Sequence, residues 1–402
     1  MNYSLGNMLS RGGALNPDGL SLDLAFALDK TLTARKGPTP TFTRASTATF
    51  VGSNGLIQSA TINTPRFDHD PVTLACKGLL IEESRTNLLT QSESWQTGSS
   101  FTGPIAPSIS NNTTTSPDGL LTADTLSGSN GTLADGSVNS TWRLPNISSS
   151  TTYTFSIYIK SLGVATKAEI RIRDNSTGTS VQTLDTNITS DWKRISVTAT
   201  TGGTTTSIRC IIQNTDGPIA IYGAQLEAGS FPTSYIPTTT AALTRSADVC
   251  SITGGDFTNI YNNSAGTFVS DSMIANLIGE NRGIAQIDSG TSDNIIRHQY
   301  TSSIGGFNTL LRANVDTPTV LSTTTGAVST IQKRATAYAG TSFASTTNGG
   351  LVTTATRTFP VGLNTLRIGS LSTGSFVLNG HIARIQYFKK RLPDAKLQSL
   401  TT

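Results

Sequence analysis

Apolar and polar side chains alternate one by one in short stretches along most of the chain after residue 90. In Ser150–Ser161, for example, Phe155, Ile157 and Ile159 share one face and the intervening positions share the other. This period of two is typical of a half-buried β-strand, because successive side chains of a strand point to opposite faces of the sheet. No helical period separates the stretches, which predicts sandwiches of short strands.

The predicted strands follow one another at short intervals. Those of the middle part are Ser150–Ser161, Ala168–Gly178, Asp191–Thr201, Ser207–Gln213 and Ile219–Gly229. Those of the last part are Gly266–Ile274, Asn294–Tyr300, Ser329–Gly340, Thr365–Leu371 and His381–Lys390. A short helix is predicted over Leu392–Gln398, where Asp394 would interact favourably with the helix dipole.

The first part of the chain is mixed in pattern. An apolar stripe lies in Leu20–Lys30, and it is expected either to dock on a partner subunit or to fold back onto the neighbouring sandwich. Thr41–Ala60 predicts a β-hairpin, because the strand-like runs Thr41–Thr43 and Ala48–Val51 lead into the turn residues Gly52–Gly55. Further along, the prolines and threonines of Phe231–Asp248 are typical of an extended connector.

These patterns divide the chain into three parts and predict an all-β protein. A short mixed N-terminal attachment region spans residues 1–89, one β-sandwich spans residues 90–247, and a second in tandem spans residues 248–402. Composition agrees with this, since charged residues make up only 13% of the 402 residues and Thr, Ser, Asn and 37 glycines take their place. β-Branched residues and turn formers suit strands joined by tight turns.

Charge and cysteine usage argue against several classes of protein. The net charge of +4 is spread without a run of Lys or Arg, so nucleic-acid binding is not expected. The N-terminus lacks the apolar core of a secretion signal, and no apolar stretch approaches the roughly 20 residues of a membrane-spanning helix, so membrane insertion is not expected either. Cys76, Cys210 and Cys250 have no metal or redox spacing and are expected to be reduced thiols, which favours assembly in a reducing cytoplasm.

Three stretches carry a resemblance to known families. Phe42–Leu89 resembles a motif common in phage structural proteins. The segments DWKRISVTAT, IAIYGAQLEAGSFPTSYIPTT and TRSAD, between Asp191 and Asp248, resemble a phage head-spike or fibre domain related to jelly-roll carbohydrate-binding modules. The ending NGHIARIQYFKKRLPDAKLQSL, Asn379–Leu400, with GLNTLRIGS before it, is similar to the laminin-G/concanavalin-A-like lectin superfamily. The resemblance implies two jelly-roll sandwiches in a phage virion protein, of head or tail, assembled in the host cytoplasm.

No catalytic residues are predicted, and the protein is expected not to be an enzyme. The adjacent Glu82 and Glu83 would point to opposite faces of a strand, unlike the facing acids of a polysaccharide depolymerase. His69, His298 and His381 lie outside the spacings of metal ligands and of the common hydrolase motifs. The RFDHD motif around His69 is interpreted as a turn whose aspartates bond their own backbone, with a cation site as the alternative.

The chemistry of sugar binding indicates a small set of candidate residues. Lectin sites place aromatic rings against the apolar face of a pyranose, and on this basis Trp142, Trp192 and Tyr222 are the candidate ligand-binding residues. Packing in the core is the alternative role of each. No cofactor is expected apart from a structural Ca²⁺, which is left open because no calcium-loop motif occurs. Its candidate ligands are Asp118, Asp124 and Asp256.

Three functions are compatible with these expectations. The first is adhesion of a phage particle to host-surface glycans, in which weak single sites gain avidity from copy number. The second is a purely structural role in capsid decoration or as a tail adaptor, and the third is depolymerisation of a polysaccharide. The expected partners are other virion proteins, through the N-terminal region, and a host-surface glycan. A homotrimer is expected by analogy with fibres.

Overall fold

The computed structural model of the chain describes residues 19–97, 99–102, 107–128, 140–163, 165, 167–214, 217–274, 281–302, 305–314, 316–325, 329–371 and 376–402. Its helices are α1 (Phe26–Asp29), α2 (Gly254–Ile260) and α3 (Asp394–Thr401). None of these described helices has the length and apolar character needed to cross a membrane. Antiparallel strands form most of the rest, so the all-β prediction is confirmed, as is the predicted helix at the end.

The larger of two sandwiches consists of an eight-stranded and a seven-stranded sheet. The eight-stranded sheet has the order β27 (Thr353–Thr356), β26 (Ser342–Thr347), β25 (Gln332–Ala339), β20 (Ala265–Ile274), β29 (Gly380–Phe388), β6 (Cys76–Ile81) and β5 (Phe67–His69), with β1 (Leu20–Leu24) also paired to β29. The seven-stranded sheet has the order β2 (Thr41–Thr43), β19 (Val249–Thr253), β28 (Thr365–Ile368), β21 (Arg282–Asp288), β22 (Ile295–Thr301), β23 (Gly306–Arg312) and β24 (Thr319–Thr325). One apolar core lies between them.

The smaller sandwich has two sheets of five strands. The first has the order β15 (Lys193–Thr200), β12 (Thr152–Ser161), β17 (Ile219–Ala228), β10 (Ala123–Ser127) and β9 (Ser108–Thr114). The second has the order β14 (Ser180–Asn187), β13 (Lys167–Asp174), β16 (Ile208–Asn214), β11 (Ser140–Arg143) and β8 (Ser100–Thr102). The chain passes from one sheet to the other at most of its turns, as in a jelly roll. Phe155, Ile157 and Ile159 of β12 face the core as predicted.

The N-terminal region differs from the sequence-based division. Residues 1–89 were expected to stand apart, whereas β1 and β6 pair with β29 and β2 pairs with β19, all within the large sandwich. Leu22, Leu24 and Phe26 of the apolar stripe are fully buried in its core, so the stripe folds back and does not dock on a partner. Residues 1–18 lie outside the described residues. The small sandwich is thus an insertion into the large one, which no local pattern indicates because the pairing strands are far apart in sequence.

The chain enters and leaves the small sandwich at one place. There β7 (Arg85–Asn87) pairs with β18 (Leu243–Arg245), and the hydroxyl oxygens of Thr86 and Thr244 are 2.8 Å apart. The predicted hairpin is confirmed as β3 (Ala48–Val51) and β4 (Ile57–Ala60). The connector is not a free linker, because Phe231, Tyr235 and Ile236 are buried at this junction.

Five charged side chains form a buried cluster at the junction, and we call it the junction cluster. Arg66 Nη2 lies 2.5 Å from Asp248 Oδ2, and its Nη1 lies 2.8 Å from Glu82 Oε2. Arg44 Nη1 is 3.0 Å from Asp248, and Arg245 Nε is 3.6 Å from Glu82. Burial alone would raise the pKa of Glu82, but the charges of Arg245 and Arg66 outweigh it and hold that pKa well below its usual value. The cluster therefore exists as charged groups that depend on one another.

The three cysteines are free thiols, as predicted. Cys210 and Cys250 lie in the cores of the small and the large sandwich, and Cys76 is half-buried. Burial raises the pKa of each thiol, so the cysteines act as small apolar side chains.

Replacing Arg66 by Met is expected to lower the free energy of unfolding by about 3–5 kcal/mol, because it leaves two buried carboxylates without their shared partner. Arg35→Met is the matched control, since Arg35 pairs with Asp29 at the surface and such pairs contribute at most about 1 kcal/mol. Urea unfolding of both variants measures the difference. Equal losses in the two variants would show that the junction cluster does not hold the fold.

One histidine is enclosed in the large sandwich. His298 bonds Ser270 Oγ through Nδ1 at 2.7 Å and Thr336 Oγ1 through Nε2 at 2.9 Å, and its ring stacks on Phe268 with centroids 4.6 Å apart. Burial, and then the charge of Arg334, keeps the pKa of His298 well below its usual value. The imidazole is therefore neutral in the folded protein.

Because the pKa of His298 is lower in the folded than in the unfolded chain, protonation favours unfolding. The free energy of unfolding is thus expected to be unaffected by this group above about pH 6.5 and to fall below it, by up to about 1.4 kcal/mol per pH unit. The variant His298→Gln should lose this part of the pH dependence. Urea unfolding at pH 7.5 and pH 5.5 tests it, and identical pH dependence in both proteins would contradict the assignment.

Candidate functional site

A half-open cleft of about 190 Å³ lies between the two sandwiches. The hairpin β3–β4 and the connector form two of its sides, and the ends of β5, β6 and β29 meet β12 and β15 around the rest. Its lining mixes aromatic and hydrogen-bonding side chains, among them Phe50, Asp68, Tyr158, Arg194, Ser234 and His381. A concave site of this mixture at a domain boundary is where proteins most often hold small polar ligands.

One side of the cleft carries a paired carboxylate and imidazole. His381 Nε2 is 2.8 Å from Asp68 Oδ2, and the Val51 N–H donates to Asp68 Oδ1 at 2.7 Å. Lys77 Nζ is 3.5 Å from the same carboxylate. Burial would raise the pKa of Asp68, but the hydrogen bond and charge of His381, together with Lys77, bring it below its usual value. This side therefore presents an ionised acceptor held in one orientation.

The opposite side carries a fixed cation on an aromatic ring. Arg194 donates from Nη1 to the Thr233 carbonyl at 2.5 Å and from Nη2 to Ser156 Oγ at 3.0 Å. Its guanidinium lies 5.4 Å from the centroid of the Tyr158 ring. Asp68, Arg194 and the Tyr158 ring therefore line the same cleft. The carboxylate and the guanidinium can bond the hydroxyl groups of a sugar whose ring stacks on Tyr158 or Phe50.

Tyr222 lies behind this side of the cleft. Its ring centroid is 6.3 Å from that of Tyr158 and 5.5 Å from that of Tyr235, and the side chain is only 3% exposed. Its hydroxyl donates to Asp118 Oδ2 at 2.9 Å and is 3.1 Å from Glu93 Oε1. Tyr222 is thus a buried residue that packs against Tyr158.

The other two predicted ligand-binding residues lie apart, with Trp192 directly before β15 and Trp142 on β11. Trp192 is half-buried beside the same tyrosines, where its Nε1 donates to the Thr115 carbonyl at 3.1 Å. Trp142 lies on β11 of the second small sheet, with the Arg209 guanidinium 4.3 Å from its ring centroid. The structure therefore brings Trp192 and Tyr222 together and places Trp142 away from them. Sugar binding by these three residues stays a prediction.

The structure also places the RFDHD motif and the adjacent acids Glu82 and Glu83. The turn interpretation of the RFDHD motif is confirmed only at its end, where Asp70 accepts the N–H groups of Val72 and Thr73. Phe67–His69 instead form strand β5, and Asp68 turns into the cleft. Glu82 lies in the junction cluster, and Glu83 bonds Asn379 instead, so the adjacent acids do point apart.

Sequence reasoning missed the cleft residues Phe50, Asp68, Arg194 and His381. They come from four strands, and no spacing in the sequence connects them. The one available signal is that two polar residues, Asp68 and His381, occupy positions within or beside apolar strand patterns.

Two of the three candidate calcium ligands already have other partners, whereas Asp256 lies exposed in the first turn of α2. Asp124 accepts hydrogen bonds from the N–H groups of Trp95 and Asn112. Asp118 accepts them from the N–H group of Leu120 and from the hydroxyl group of Tyr222. Across the part of the chain that the structure describes, no group of three or more His, Cys, Asp or Glu could hold a metal ion. A structural Ca²⁺ bound largely through carbonyl groups stays a prediction.

The sequence matches no protein-family model and no curated protein. Among solved structures, the chain is similar to the CBM40 of the Ruminococcus gnavus IT-sialidase bound to α2,3-sialyllactose, with 18% identity over 35% of this chain and 83% of that one and a TM-score of 0.31. A structure described as CBM4 has 15% identity over 27% of this chain and 72% of that one, with a TM-score of 0.24. The enzymatically active domain of tailspike protein 4 of bacteriophage CBA120 has 15% identity over 36% of this chain and 21% of that one, with a TM-score of 0.27.

The variant Asp68→Asn is expected to lower the free energy of unfolding by about 1.5–3 kcal/mol at pH 7, because it replaces a charge-assisted hydrogen bond by a neutral one. The folded pKa of Asp68 lies below the unfolded one, so the carboxylate stabilises the protein above about pH 4 and loses that effect as pH falls through its folded pKa. The difference between wild type and variant should therefore shrink in acid. Chemical unfolding at pH 7 and pH 3 measures it, and a constant difference would refute the assignment.

Proposed function

We propose that this protein binds host-surface glycans in the cleft between its sandwiches and that it does so as a non-enzymatic adhesion protein of a phage particle. The observation that carries the glycan assignment is the lining of the cleft. Asp68 and His381 face Arg194 across a space bordered by the rings of Phe50 and Tyr158. Hydroxyl groups of a sugar need such donors and acceptors, and the apolar face of a pyranose needs the rings.

The residues of the cleft support binding without turnover. Most glycosidases hydrolyse the glycosidic bond with a carboxylic acid whose pKa is raised so that it can donate a proton. Both acids of the cleft, Asp68 and Glu82, have cationic partners that keep their pKa below the usual value. Asp68 would therefore be ionised at neutral pH and could accept hydrogen bonds from hydroxyl groups, whereas Glu82 is already bonded to Ser234 and to the arginines of the junction cluster.

The role in a phage particle rests on the resemblance of Phe42–Leu89 and Asp191–Asp248 to phage structural proteins. A single shallow site of millimolar affinity corresponds to about 4 kcal/mol, and several copies on one particle would turn this into useful avidity. Contact with other virion proteins through the N-terminal region and assembly as a homotrimer belong to the same proposal. Leu22, Leu24 and Phe26 would take no part in that contact, since they lie in the core.

A glycan array probed with the purified full chain tests the proposal. Saturable binding to a defined set of glycans is expected, and Phe50→Ala should weaken it by about tenfold, the effect of losing one ring contact of roughly 1.4 kcal/mol. Trp142→Ala is the matched control, because it also removes an aromatic ring from a strand but lies outside the cleft lining. Thermal melting of both variants checks that they are folded.

Three outcomes would overturn the proposal. Loss of binding in Trp142→Ala but not in Phe50→Ala would move the site to the second sheet of the small sandwich. A folded protein that binds no glycan would leave a purely structural role, as decoration or adaptor. Shortening of a host polysaccharide during incubation with the protein would make it a depolymerase.

A further inference from the structure

Two arginines lie directly opposite each other on the outer face of the second small sheet, and we call them the arginine pair. In the cross-strand register, Arg173 of β13 lies next to Arg209 of β16. Their neighbours Ile172, Ile208 and Cys210 are buried in the core, so both arginine side chains point outward. Side chains in this position start about 5 Å apart, and both arginines are partly exposed to solvent.

One turn positions both guanidinium groups. The segment between β13 and β14 provides two acceptors: Asn175 Oδ1, which lies 2.9 Å from Arg209 Nε, and the Gly178 carbonyl, which accepts from Arg173 Nε. Asn175 is itself bonded to Ser207, from its N–H to the carbonyl and from Nδ2 to the hydroxyl, each at 3.2 Å. The arginine pair is therefore held in place by the fold.

The outer nitrogens of the arginine pair remain available. Among the described residues, Nη1 and Nη2 of Arg173 and Arg209 have no hydrogen-bond partner, and neither arginine forms an ion pair. The Arg209 guanidinium lies over the Trp142 ring, 4.3 Å from its centroid. This contact uses the face of the guanidinium, whereas the N–H groups lie in its plane, so it leaves them free to donate.

The positive charge of the arginine pair is not balanced by the acids of its own strands. Glu169 of β13 pairs with Arg171, Asp174 accepts hydrogen bonds from its own turn, and β16 carries no acid. Like charges directly opposite each other destabilise a sheet. Burial, and then the charge of Arg173, lowers the pKa of Arg209. An anion bound between the two arginines would relieve this repulsion.

We propose that the arginine pair is a second binding site, which takes a phosphate monoester group such as that of a phosphorylated sugar. The free edge of each planar guanidinium matches two phosphate oxygens in parallel hydrogen bonds. A phosphate monoester has three acceptor oxygens and a charge of about −1.5 to −2 at pH 7, which balances two arginines, whereas a carboxylate carries a single negative charge. The site lies on β13 and β16 and shares no residue with the cleft.

Isothermal titration calorimetry of the full chain with glucose 6-phosphate, with glucose as the neutral reference, tests the proposal. Glucose 6-phosphate should bind at least about tenfold more tightly than glucose. Arg173→Gln and Arg209→Gln should each weaken its binding by about tenfold, since each removes a charge-assisted pair of hydrogen bonds. Inorganic phosphate should bind as well. Equal affinities would assign all recognition to the phosphate group, and tighter binding of the ester would add contacts to the sugar.

Lys167→Gln is the control for net charge, because Lys167 is exposed at the other end of β13 and on the same face of the sheet. It should leave the affinity unchanged. Equal weakening in Lys167→Gln and Arg209→Gln would reduce the binding to bulk charge and overturn the proposal. Equal binding of glucose and glucose 6-phosphate would overturn it too, as would binding of glucuronate as tight as that of the phosphate ester.

Two further variants separate this site from a folding defect and from the cleft. Arg209→Lys keeps the charge without the planar group, so its affinity should lie between those of the wild type and Arg209→Gln, and thermal melting checks that each variant is folded. Phe50→Ala should leave the added affinity for the phosphate unchanged, whereas Arg209→Gln should leave the binding of neutral glycans in the cleft unchanged. Failure of this site and failure of the cleft are thus distinguishable.

Discussion

The pairing of five buried charges is the constraint on which the arrangement of the two sandwiches depends. Arg44, Arg66 and Glu82 come from the first ninety residues, and Arg245 and Asp248 come from the far side of the inserted sandwich. Each charge would cost several kcal/mol to bury alone, and each is compensated only when all the segments are in place. The Glu82 N–H also donates to Asp248 at 2.9 Å, so the backbone directly after β6 is bonded to the same carboxylate. The junction therefore has one low-energy arrangement.

The cleft follows from this constraint. Glu82 accepts both the N–H and the hydroxyl of Ser234, each at 2.7 Å, and thereby fixes the connector that forms one side of the cleft. Arg66 also donates to the Thr49 carbonyl at 2.8 Å, which fixes the hairpin on the other side. Because the residues of the junction cluster are already paired with one another, ligand contacts are left to neighbours such as Arg194 and His381.

The five charges of the junction cluster come from two stretches that lie far apart in the sequence. Phe42–Leu89 contains three of the five charges, and TRSAD contains Arg245 and Asp248. From the sequence alone, a lone Arg or Glu in a polar stretch is indistinguishable from a surface charge, so the pairing of these groups could not be predicted. Their pairing in the structure follows from the cost of burying each of these groups without its partners.

The sequence by itself determined the type of most elements: the period of two in β12, the turn residues between β3 and β4, and the ending that forms α3 all act over a few neighbouring residues. Only the tertiary structure decided which strands pair. It placed β1, β2 and β6 in the sheets of the large sandwich and assembled Asp68, Arg194 and His381 around one cleft. The physical reason is that strand type depends on local alternation and turn chemistry, whereas strand partners and buried charge pairs depend on contacts between segments hundreds of residues apart.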